Sequence, residues 1–292
     1  KGISVEHQCV RKNVGVFDVS HMGEFIVEGT EAKDYLNYIC SNDISNIEIN
    51  RAQYNCLINY DGGIVDDLIV YRIEHTKYML VVNAANIEKD WQWVQKNLKN
   101  YDCIIKNISE KIGLISVQGP NSLSLINEVF NFDFSQLKKF SFQNNVKINN
   151  KSIIVSNTGY TGSNGYELYI DVDIIPNLWD KLVSKGEKYQ LQPIGLGARD
   201  TLRMEMGYCL YGNDIDDSTT PFEANLMWVT NIEKDFIGKE KVLNSINLSS
   251  KKMINFKMVD RGIPRNGYDI CNQEGDKIGN VTSGTFSPTN KV

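Results

Sequence analysis

The stretch from Leu57 to Asn83, LINYDGGIVDDLIVYRIEHTKYMLVVN, carries the clearest strand pattern in the chain. The turn sequence DGG at positions 61–63 separates two runs rich in Ile, Val and Tyr, which predicts a β-hairpin followed by a further strand. Because side chains alternate between the faces of a strand, the adjacent Asp66 and Asp67 must point to opposite sides. Both faces are largely apolar in steps of two, so we expect this strand to be covered on both sides.

The pattern alone leaves two interpretations of this carboxylate pair open. A carboxylate beside apolar surface has a partner, binds a ligand, or has its pKa raised by desolvation. In the other interpretation, Asp66 and Asp67 both lie at the end of the hairpin and contact water. The first would make the pair a candidate site, and the second would make it part of an ordinary solvated turn.

The composition is typical of a soluble protein with two or three domains. The chain has 292 residues, of which 41% are hydrophobic and 23% charged. A net charge of -5 without a block of Lys and Arg argues against nucleic acid or an anionic membrane as the main partner. No apolar run approaches the roughly 20 residues that span a bilayer. The six cysteines are scattered without metal-site spacing, which favours free buried thiols in a reducing compartment.

The order of the predicted elements indicates an α+β fold with antiparallel sheets and not a doubly wound parallel sheet. Helices are predicted over residues 4–13, 30–40, 87–98, 120–130, 174–185, 199–206 and 236–246, with Asn86 available to cap the third. Strands are predicted over residues 14–17, 24–29, 51–59, 64–73, 77–83 and 112–117, in a meander over 138–171, and at 252–259, 270 and 279–283.

A glycine-rich loop, NTGYTGSNG at 157–165, precedes Glu167 and supplies backbone angles that often serve function. A simple hairpin connection with a solvated glutamate explains the same pattern. Farther along, GLGARD at 195–200 lacks the third glycine of a dinucleotide-binding fingerprint. Arg199 lies at the start of a predicted helix, where its side chain could bind a carboxylate or hold a loop in place.

Asp18, Ser20 and His21 lie within four positions and superficially suggest a catalytic triad. Triad members meet through folding and not through adjacency in sequence. We therefore predict a structural or pocket-lining role for these residues.

Several longer motifs together resemble a known family in their order and spacing. They are DVSHMGE (18–24), DGGIVDDLIVY (61–71), VVNAANIEKD (81–90), VQGP (117–120), NTGYTGSNGYE (157–167), PIGLGARDTLRMEMGYCLYGNDID (193–216) and VTSGTFSP (281–288). They resemble the T protein of the glycine cleavage system, the tetrahydrofolate-dependent aminomethyltransferase family. The resemblance covers essentially the whole chain.

The resemblance implies three domains around a central folate hole. Residues 1–245 would form two interleaved α+β domains, and residues 246–292 a C-terminal β-barrel domain that is incomplete here. It implies transfer of an aminomethyl group from the lipoyl arm of H protein to tetrahydrofolate, with release of ammonia and no metal. Motif details such as GNDIDD favour the bacterial cytoplasm, with the mitochondrial matrix as the location in a eukaryote.

The resemblance also assigns site residues position by position. Asp67 matches the essential carboxylate near the folate N5 and N10, and Asp66 becomes its structural partner. Glu167 matches the acid that accepts hydrogen bonds from the pterin ring NH and exocyclic amine. Further folate-site positions are matched by Met22, Tyr54, Tyr71, Val81, Asn83, Tyr160 and Arg199, and less closely by Tyr208.

Two other functions are compatible with the same superfamily. Folate-dependent demethylases, and the folate domains of dimethylglycine and sarcosine dehydrogenases, look similar, although the dehydrogenases carry a flavin domain for which this chain has no fingerprint. Non-enzymatic folate-binding proteins related to iron–sulfur assembly factors carry a motif KGCxxGQE. The nearest counterpart here, KDFIGKE at 234–240, has no cysteine.

Overall fold

The computed structural model describes residues 1–148 and 150–291. The helices of this part of the chain are α1 (Ile3–Lys12), α2 (Ala32–Ile39), α3 (Ile87–Leu98), α4 (Ser122–Phe130), α5 (Ile175–Gly186), α6 (Leu196–Glu205) and α7 (Lys239–Leu248). The strands are β1 (Gly15–Asp18), β2 (Gly23–Glu28), β3 (Arg51–Ile58), β4 (Ile64–Glu74), β5 (Lys77–Val82), β6 (Ile104–Asn107), β7 (Ile112–Gln118), β8 (Phe142–Ile148), β9 (Lys151–Ser156), β10 (Gly165–Asp171), β11 (Gln192–Pro193), β12 (Asp269–Cys271) and β13 (Lys277–Asn280).

The strands form two large sheets and one small sheet. One sheet has five strands in the order β3-β4-β5-β2-β6, and the other has six in the order β11-β1-β7-β10-β9-β8. Pairing is antiparallel in both, except that β1 and β11 run parallel. The predicted α+β class with antiparallel sheets is therefore confirmed.

The two large sheets are interleaved along the chain. Strand β1 belongs to the six-stranded sheet, and the chain then builds the five-stranded sheet before it returns to pair β7 with β1. Each sheet therefore contains strands that are distant in sequence. Strand β1 is therefore the strand of the six-stranded sheet that comes before the five-stranded sheet in the chain.

Each large sheet is covered by helices on its outer face. Val70 and Leu80 of the five-stranded sheet pack with α2 and α3 residues, whereas Val117 and Leu168 of the six-stranded sheet pack with α4 and α5 residues. The inner faces contribute side chains from both sheets, such as Tyr71 and Tyr169, to one shared buried cluster together with residues of α1 and α6. We call this cluster the inner layer.

The β3–β4 hairpin forms as the turn signal predicts. The side-chain oxygen of Asn59 accepts hydrogen bonds from the backbone N–H groups of Asp61 and Gly63, both at 2.9 Å. Gly62 has φ 88°, which favours glycine. A Cβ on Gly63 would overlap the backbone carbonyl of Asp217, so only glycine fits this contact.

The C-terminal part differs from the prediction. The segment 252–259 is not a strand, and the structure has only the two-stranded sheet of β12 and β13 there. The physical reason is that segment 252–259 has no neighbouring strand to pair with, since Met253 instead bonds through its backbone to Glu223. Within residues 1–148 and 150–291, the C-terminal strands do not close into a barrel.

The cysteine prediction is confirmed in its main part. The thiols are free, and all are buried except that of Cys271. Across the described part of the chain, no helix combines the length and the apolar character needed to cross a membrane.

Candidate functional site

The two acids singled out in the sequence lie on the inner faces of the two large sheets. Asp67 shares its face of β4 with Tyr71, and Glu167 shares its face of β10 with Tyr169. The hydroxyl groups of Tyr71 and Tyr169 lie 2.9 Å apart and connect the two sheets. Thr158 extends this connection, since its hydroxyl donates to Glu167 at 2.6 Å and contacts the Tyr71 hydroxyl at 3.1 Å.

Asp67 is held by one donor at each carboxylate oxygen. The Tyr54 hydroxyl donates to Oδ2 at 2.8 Å, and the side-chain amide of Asn83 donates to Oδ1 at 2.8 Å. Tyr54 comes from β3 and Asn83 follows β5, so both strands that flank β4 fix the carboxylate. This arrangement gives the side chain one orientation.

The electrostatic surroundings of Asp67 favour proton exchange near neutral pH. Burial, followed by the neighbouring charge of Asp66, raises the pKa of Asp67 to about 7, while the hydrogen bonds from Tyr54 and Asn83 oppose this shift. A carboxyl group with such a pKa exists in both protonation states at physiological pH. It can therefore accept or release a proton during a reaction.

Asp66 occupies the opposite, outer side of β4, as strand alternation predicts. It is fully buried, so the interpretation in which both aspartates contact water is wrong for Asp66. Its carboxylate accepts hydrogen bonds from the Asn83 backbone at 3.0 Å, the Asn83 side chain at 2.9 Å and the Asn86 side chain at 2.6 Å. Asn86 makes no side-chain capping hydrogen bond to α3, and its amide nitrogen donates to Asp66.

Glu167 is buried on the inner face of the six-stranded sheet. Burial raises its pKa, while the Thr158 hydrogen bond and the charge of Arg199 lower it. Arg199 lies in the first turn of α6. The cation and the hydroxyl donor thus offset part of the effect of burial, and the pKa of Glu167 stays above its ordinary value.

Three further predicted residues stack beside this acid. The guanidinium carbon of Arg199 lies 4.7 Å from the centre of the Tyr160 ring, and Tyr160 stacks on Tyr208 at 5.8 Å between ring centres. The Tyr160 hydroxyl donates to the backbone carbonyl of Cys209. Burial and then the charge of Asp67 raise the pKa of Tyr160, which shows that this stack also lies close to Asp67.

Met22 and Val81 line the same layer, where Val81 is buried and Met22 half-buried. Val81 pairs in register with Glu24 of β2, a residue that the sequence analysis did not select. Glu24 is fully buried, and neither of its carboxylate oxygens has a hydrogen-bond partner among the described residues. Burial raises its pKa to about 8. Its position in the motif DVSHMGE, two residues after Met22, is the only signal in the sequence.

Trp228 is a second residue that the sequence analysis missed. Its ring stacks on Tyr54 with 5.7 Å between ring centres, although 70% of the residue is exposed. The Tyr54 hydroxyl binds Asp67, so an exposed tryptophan stacked on the Tyr54 ring gives a ligand a flat apolar surface at the edge of the site. No motif or spacing distinguishes it from the other tryptophans.

Among the described residues, those near the end of β1 do not form a triad, and the structural or pocket-lining role stays a prediction. Asp18 accepts a hydrogen bond from the backbone N–H of Ser20 at 3.0 Å, and the Ser20 hydroxyl contacts the Leu114 backbone. Within the described residues, His21 has no hydrogen bond to either of them. Asp18 is the last residue of β1, and Ser20 and His21 lie in the turn that follows it.

The arrangement combines a carboxyl group poised near neutral pH, a second carboxylate beside a cation, and several aromatic rings. Such a set suits a flat, partly apolar ligand that carries several N–H donors. In the described part of the chain, no cluster of three or more His, Cys, Asp and Glu side chains could hold a metal ion.

Comparisons with known proteins agree on one family. A family model described as the GCVT N-terminal domain matches residues 1–234. An aminomethyltransferase of Bacteroides fragilis is 45% identical over 100% of this chain and 81% of its own length, and one of Staphylococcus carnosus is 46% identical over 98% and 79%. The crystal structure of the glycine cleavage system aminomethyltransferase T from Bartonella henselae has a TM-score of 0.92 at 32% identity, covering 99% of this chain and 78% of that one.

Proposed function

The chain belongs to the aminomethyltransferase family of the glycine cleavage system, and on that premise we propose the reaction and the roles of its residues. The enzyme transfers the aminomethyl carbon from the lipoyl arm of H protein to tetrahydrofolate, releases ammonia and forms 5,10-methylenetetrahydrofolate. One observation carries this proposal. Asp67 shares its face of β4 with Tyr71, and the Tyr71 hydroxyl is connected through Thr158 to Glu167 on the other sheet.

The residues present fit the proposed co-substrate, tetrahydrofolate. A reduced pterin is flat and carries N–H and amine donors, which need buried acceptors. Glu167 on the inner face of the six-stranded sheet supplies carboxylate oxygens, and the exposed Trp228 ring stacked on Tyr54 supplies flat apolar surface. When bound, tetrahydrofolate supplies the nucleophilic nitrogens that accept the one-carbon unit.

We assign binding and orientation chiefly to Glu167 of the six-stranded sheet, with further contacts from both sheets. Glu167 accepts hydrogen bonds from the pterin ring NH and amine, while Arg199 favours its charged form. Further contacts to the folate come from Met22, Tyr54, Tyr71, Val81, Asn83, Tyr160 and Tyr208. This fixed orientation lowers the entropic part of the barrier.

We assign proton management to Asp67. Its carboxylate accepts two hydrogen bonds in a fixed orientation, and its pKa lies at about 7. In its charged form it holds a proton-bearing nitrogen in place and stabilises positive charge there. In its neutral form it returns a proton to the departing amine. Both roles use the same carboxylate, so turnover depends on its ionisation.

The domain division follows from the family. We propose that residues 1–245 form two interleaved α+β domains and that residues 246–292 belong to a third domain of the β-barrel type. The small sheet of β12 and β13 supports the third domain. Exposed apolar side chains in this region, among them Ile254, Phe256, Val259 and Ile278, support further packing there.

We also propose lipoylated H protein as the partner and the bacterial cytoplasm as the location. The bacterial sources of the matching relatives and the free thiols support this location. A demethylase or a non-enzymatic folate-binding protein is not favoured by the comparisons, whose names agree on aminomethyltransferase.

The test supplies purified protein with aminomethylated H protein and tetrahydrofolate, and measures ammonia together with 5,10-methylenetetrahydrofolate. We expect both products in equal amounts. Formation of 5-methyltetrahydrofolate from a methylated substrate would assign the demethylase function instead. Folate binding without either product would assign the non-enzymatic function.

A further inference from the structure

Asp90 of α3 is a buried acid that the proposed reaction does not use directly. It is fully buried, and neither of its oxygens accepts a hydrogen bond from a nitrogen or hydroxyl donor in the described chain. After burial, the neighbouring Asp66 carboxyl is the main cause that raises the pKa of Asp90. Asn86, four residues earlier and therefore on the same side of the helix, donates to that same Asp66 at 2.6 Å.

Two neighbouring carboxyl groups in a buried position disfavour charge on both, so one of them retains a proton. The hydrogen bonds identify which one. Asp66 accepts from three N–H groups, which stabilise its charged form, whereas Asp90 has no such donor among the described residues. Burial and then the charge of Asp66 raise the pKa of Asp90 to about 11.

The pair is connected to the reacting end of the site through one side chain. The amide nitrogen of Asn83 lies 2.9 Å from Asp66 Oδ1 and 2.8 Å from Asp67 Oδ1. Asp66 holds the Asn83 amide from the outer face of the sheet, beside a weaker contact of 3.1 Å to the Asp67 backbone oxygen, and so helps Asn83 to orient Asp67. A series of neighbouring side chains therefore leads from Asp90 through Asp66 and Asn83 to Asp67.

We propose that Asp90 is a positioning residue, which remains a neutral carboxylic acid and donates its proton to Asp66, so that charged Asp66 holds Asn83 and thereby orients Asp67. This inference rests on the proposed role of Asp67 in proton management. It assigns the single charge of the acid pair to Asp66. The charge matters because it also raises the pKa of Asp67.

Other charged or titratable groups face these acids and must stay constant in a test. Lys89 and Tyr211 lie beside the pair, with the Lys89 ammonium 2.6 Å from the Tyr211 hydroxyl. The titratable groups that face Asp67 are Tyr54, Cys56, Tyr160 and Cys209. None of these groups is changed in the variants that test this inference.

The kinetic test compares Asp90→Leu, Asp90→Asn and Asp66→Asn by the pH dependence of kcat for aminomethyl transfer. Leu has no donor, so we expect kcat to fall about tenfold to a hundredfold while KM for tetrahydrofolate changes little. Asn keeps an N–H donor toward Asp66, so it should restore most of that rate with an unchanged pH midpoint. Asp66→Asn removes the charge and should move the midpoint to lower pH.

The matched control is Glu88→Gln, an exposed acid on the same helix, which should leave the rate and the pH midpoint unchanged. Equal losses of kcat in Asp90→Asn and Asp90→Leu would overturn the donor role. A midpoint that moves to lower pH in Asp90→Asn would show that Asp90 carries the charge, and it would also overturn the proposal.

A readout without turnover separates this inference from the proposed function. Carbon-13 labelling of the aspartate carboxyl groups should show one neutral carboxyl signal that does not titrate between about pH 5 and pH 9 and that disappears in Asp90→Asn. If that signal is present while the wild-type protein forms no ammonia, the proposed function fails and the proton assignment stands. If every carboxyl signal is ionised at pH 8, the proton assignment fails.

Discussion

The two large sheets each contribute one acid to the inner layer, but they surround it differently. Burial, followed by the charged carboxylate beside it, raises the pKa of Asp67 on the five-stranded sheet to about 7. Glu167, on the six-stranded sheet, has Arg199 as its neighbour, and this cation opposes the effect of burial. The two carboxyl groups are therefore suited to different tasks. Asp67 is suited to exchanging protons, and Glu167, beside a cation, is suited to binding the ligand as a carboxylate.

The largest expected effect tests the proton-exchanging side of this comparison. In Asp67→Asn the amide cannot exchange a proton near pH 7, so we expect kcat to fall about 10²- to 10⁴-fold with the fold preserved. Steady-state kinetics and circular dichroism measure both. Asp61→Asn, an exposed acid in the turn of the same hairpin, is the control. A loss of less than about threefold would contradict this division.

The next expected effect concerns Glu24, whose carboxyl lies in the inner layer without a partner among the described residues. Its pKa in the folded state is about 8 against an ordinary value of 4.5, so the folded state binds more protons than the unfolded state between these values. Stability from this group therefore decreases as the pH rises. Between about pH 5 and pH 8 the loss is on the order of 3 kcal/mol.

Urea unfolding of the wild-type protein and of Glu24→Gln at about pH 5 and pH 8 measures this loss of stability. The variant should lack that decrease, whereas Glu28→Gln on the same face of β2 should retain it. Identical pH dependence in wild type and Glu24→Gln would mean that Glu24 ionises normally in the folded protein.

A smaller effect tests the binding side of the comparison. Glu167→Gln loses the charge-assisted hydrogen bonds to the pterin, so we expect the Kd for tetrahydrofolate to rise about 10- to 100-fold. Because Asp67 is unchanged, kcat at saturating folate should fall less than Kd rises. Calorimetry gives the Kd, and exposed Glu110→Gln serves as the control. An unchanged Kd in Glu167→Gln would remove Glu167 from the binding site.

The smallest effect sharpens the comparison through the donors of Asp67. We expect kcat to increase with pH through about 7 as Asp67 loses its proton. The Tyr54 hydrogen bond lowers the pKa of Asp67, so Tyr54→Phe should move this midpoint to higher pH by about half a unit. Tyr60→Phe, in the same hairpin, should leave it in place. A midpoint that moves to lower pH in Tyr54→Phe would contradict the assigned donor.

The sequence predicted those parts of the fold that depend on local pattern. The hairpin turn, the alternation that separates Asp66 from Asp67, and the amphipathic helix α3 at 87–98 are encoded in short stretches, and the structure agrees with them. The segment 252–259 shows the limit of such reasoning. Its alternation suggests a strand, but a strand forms only where a neighbour supplies the hydrogen bonds.

The candidate site was predictable where the motifs resemble a family, as at Asp67 and Glu167. Its supporting contacts were not predictable, because they join residues that are distant in sequence. Asn86 looked like a helix cap but binds Asp66, and Trp228 reaches Tyr54 from a separate loop. Burial without a partner, as for Glu24 and Asp90, becomes visible only when the packing around the side chain is known.

The interleaving of the two sheets has a consequence for synthesis of the chain on the ribosome. Strand β1 leaves the exit tunnel first, yet its antiparallel neighbour β7 follows only after every strand of the five-stranded sheet has been translated. The nascent chain can therefore assemble the Asp67 half while β1 waits unpaired, and this order separates the folding of the two halves in time. Translation past residue 171 is needed before Glu167 can meet Asp67, so no shorter nascent chain contains the complete pair.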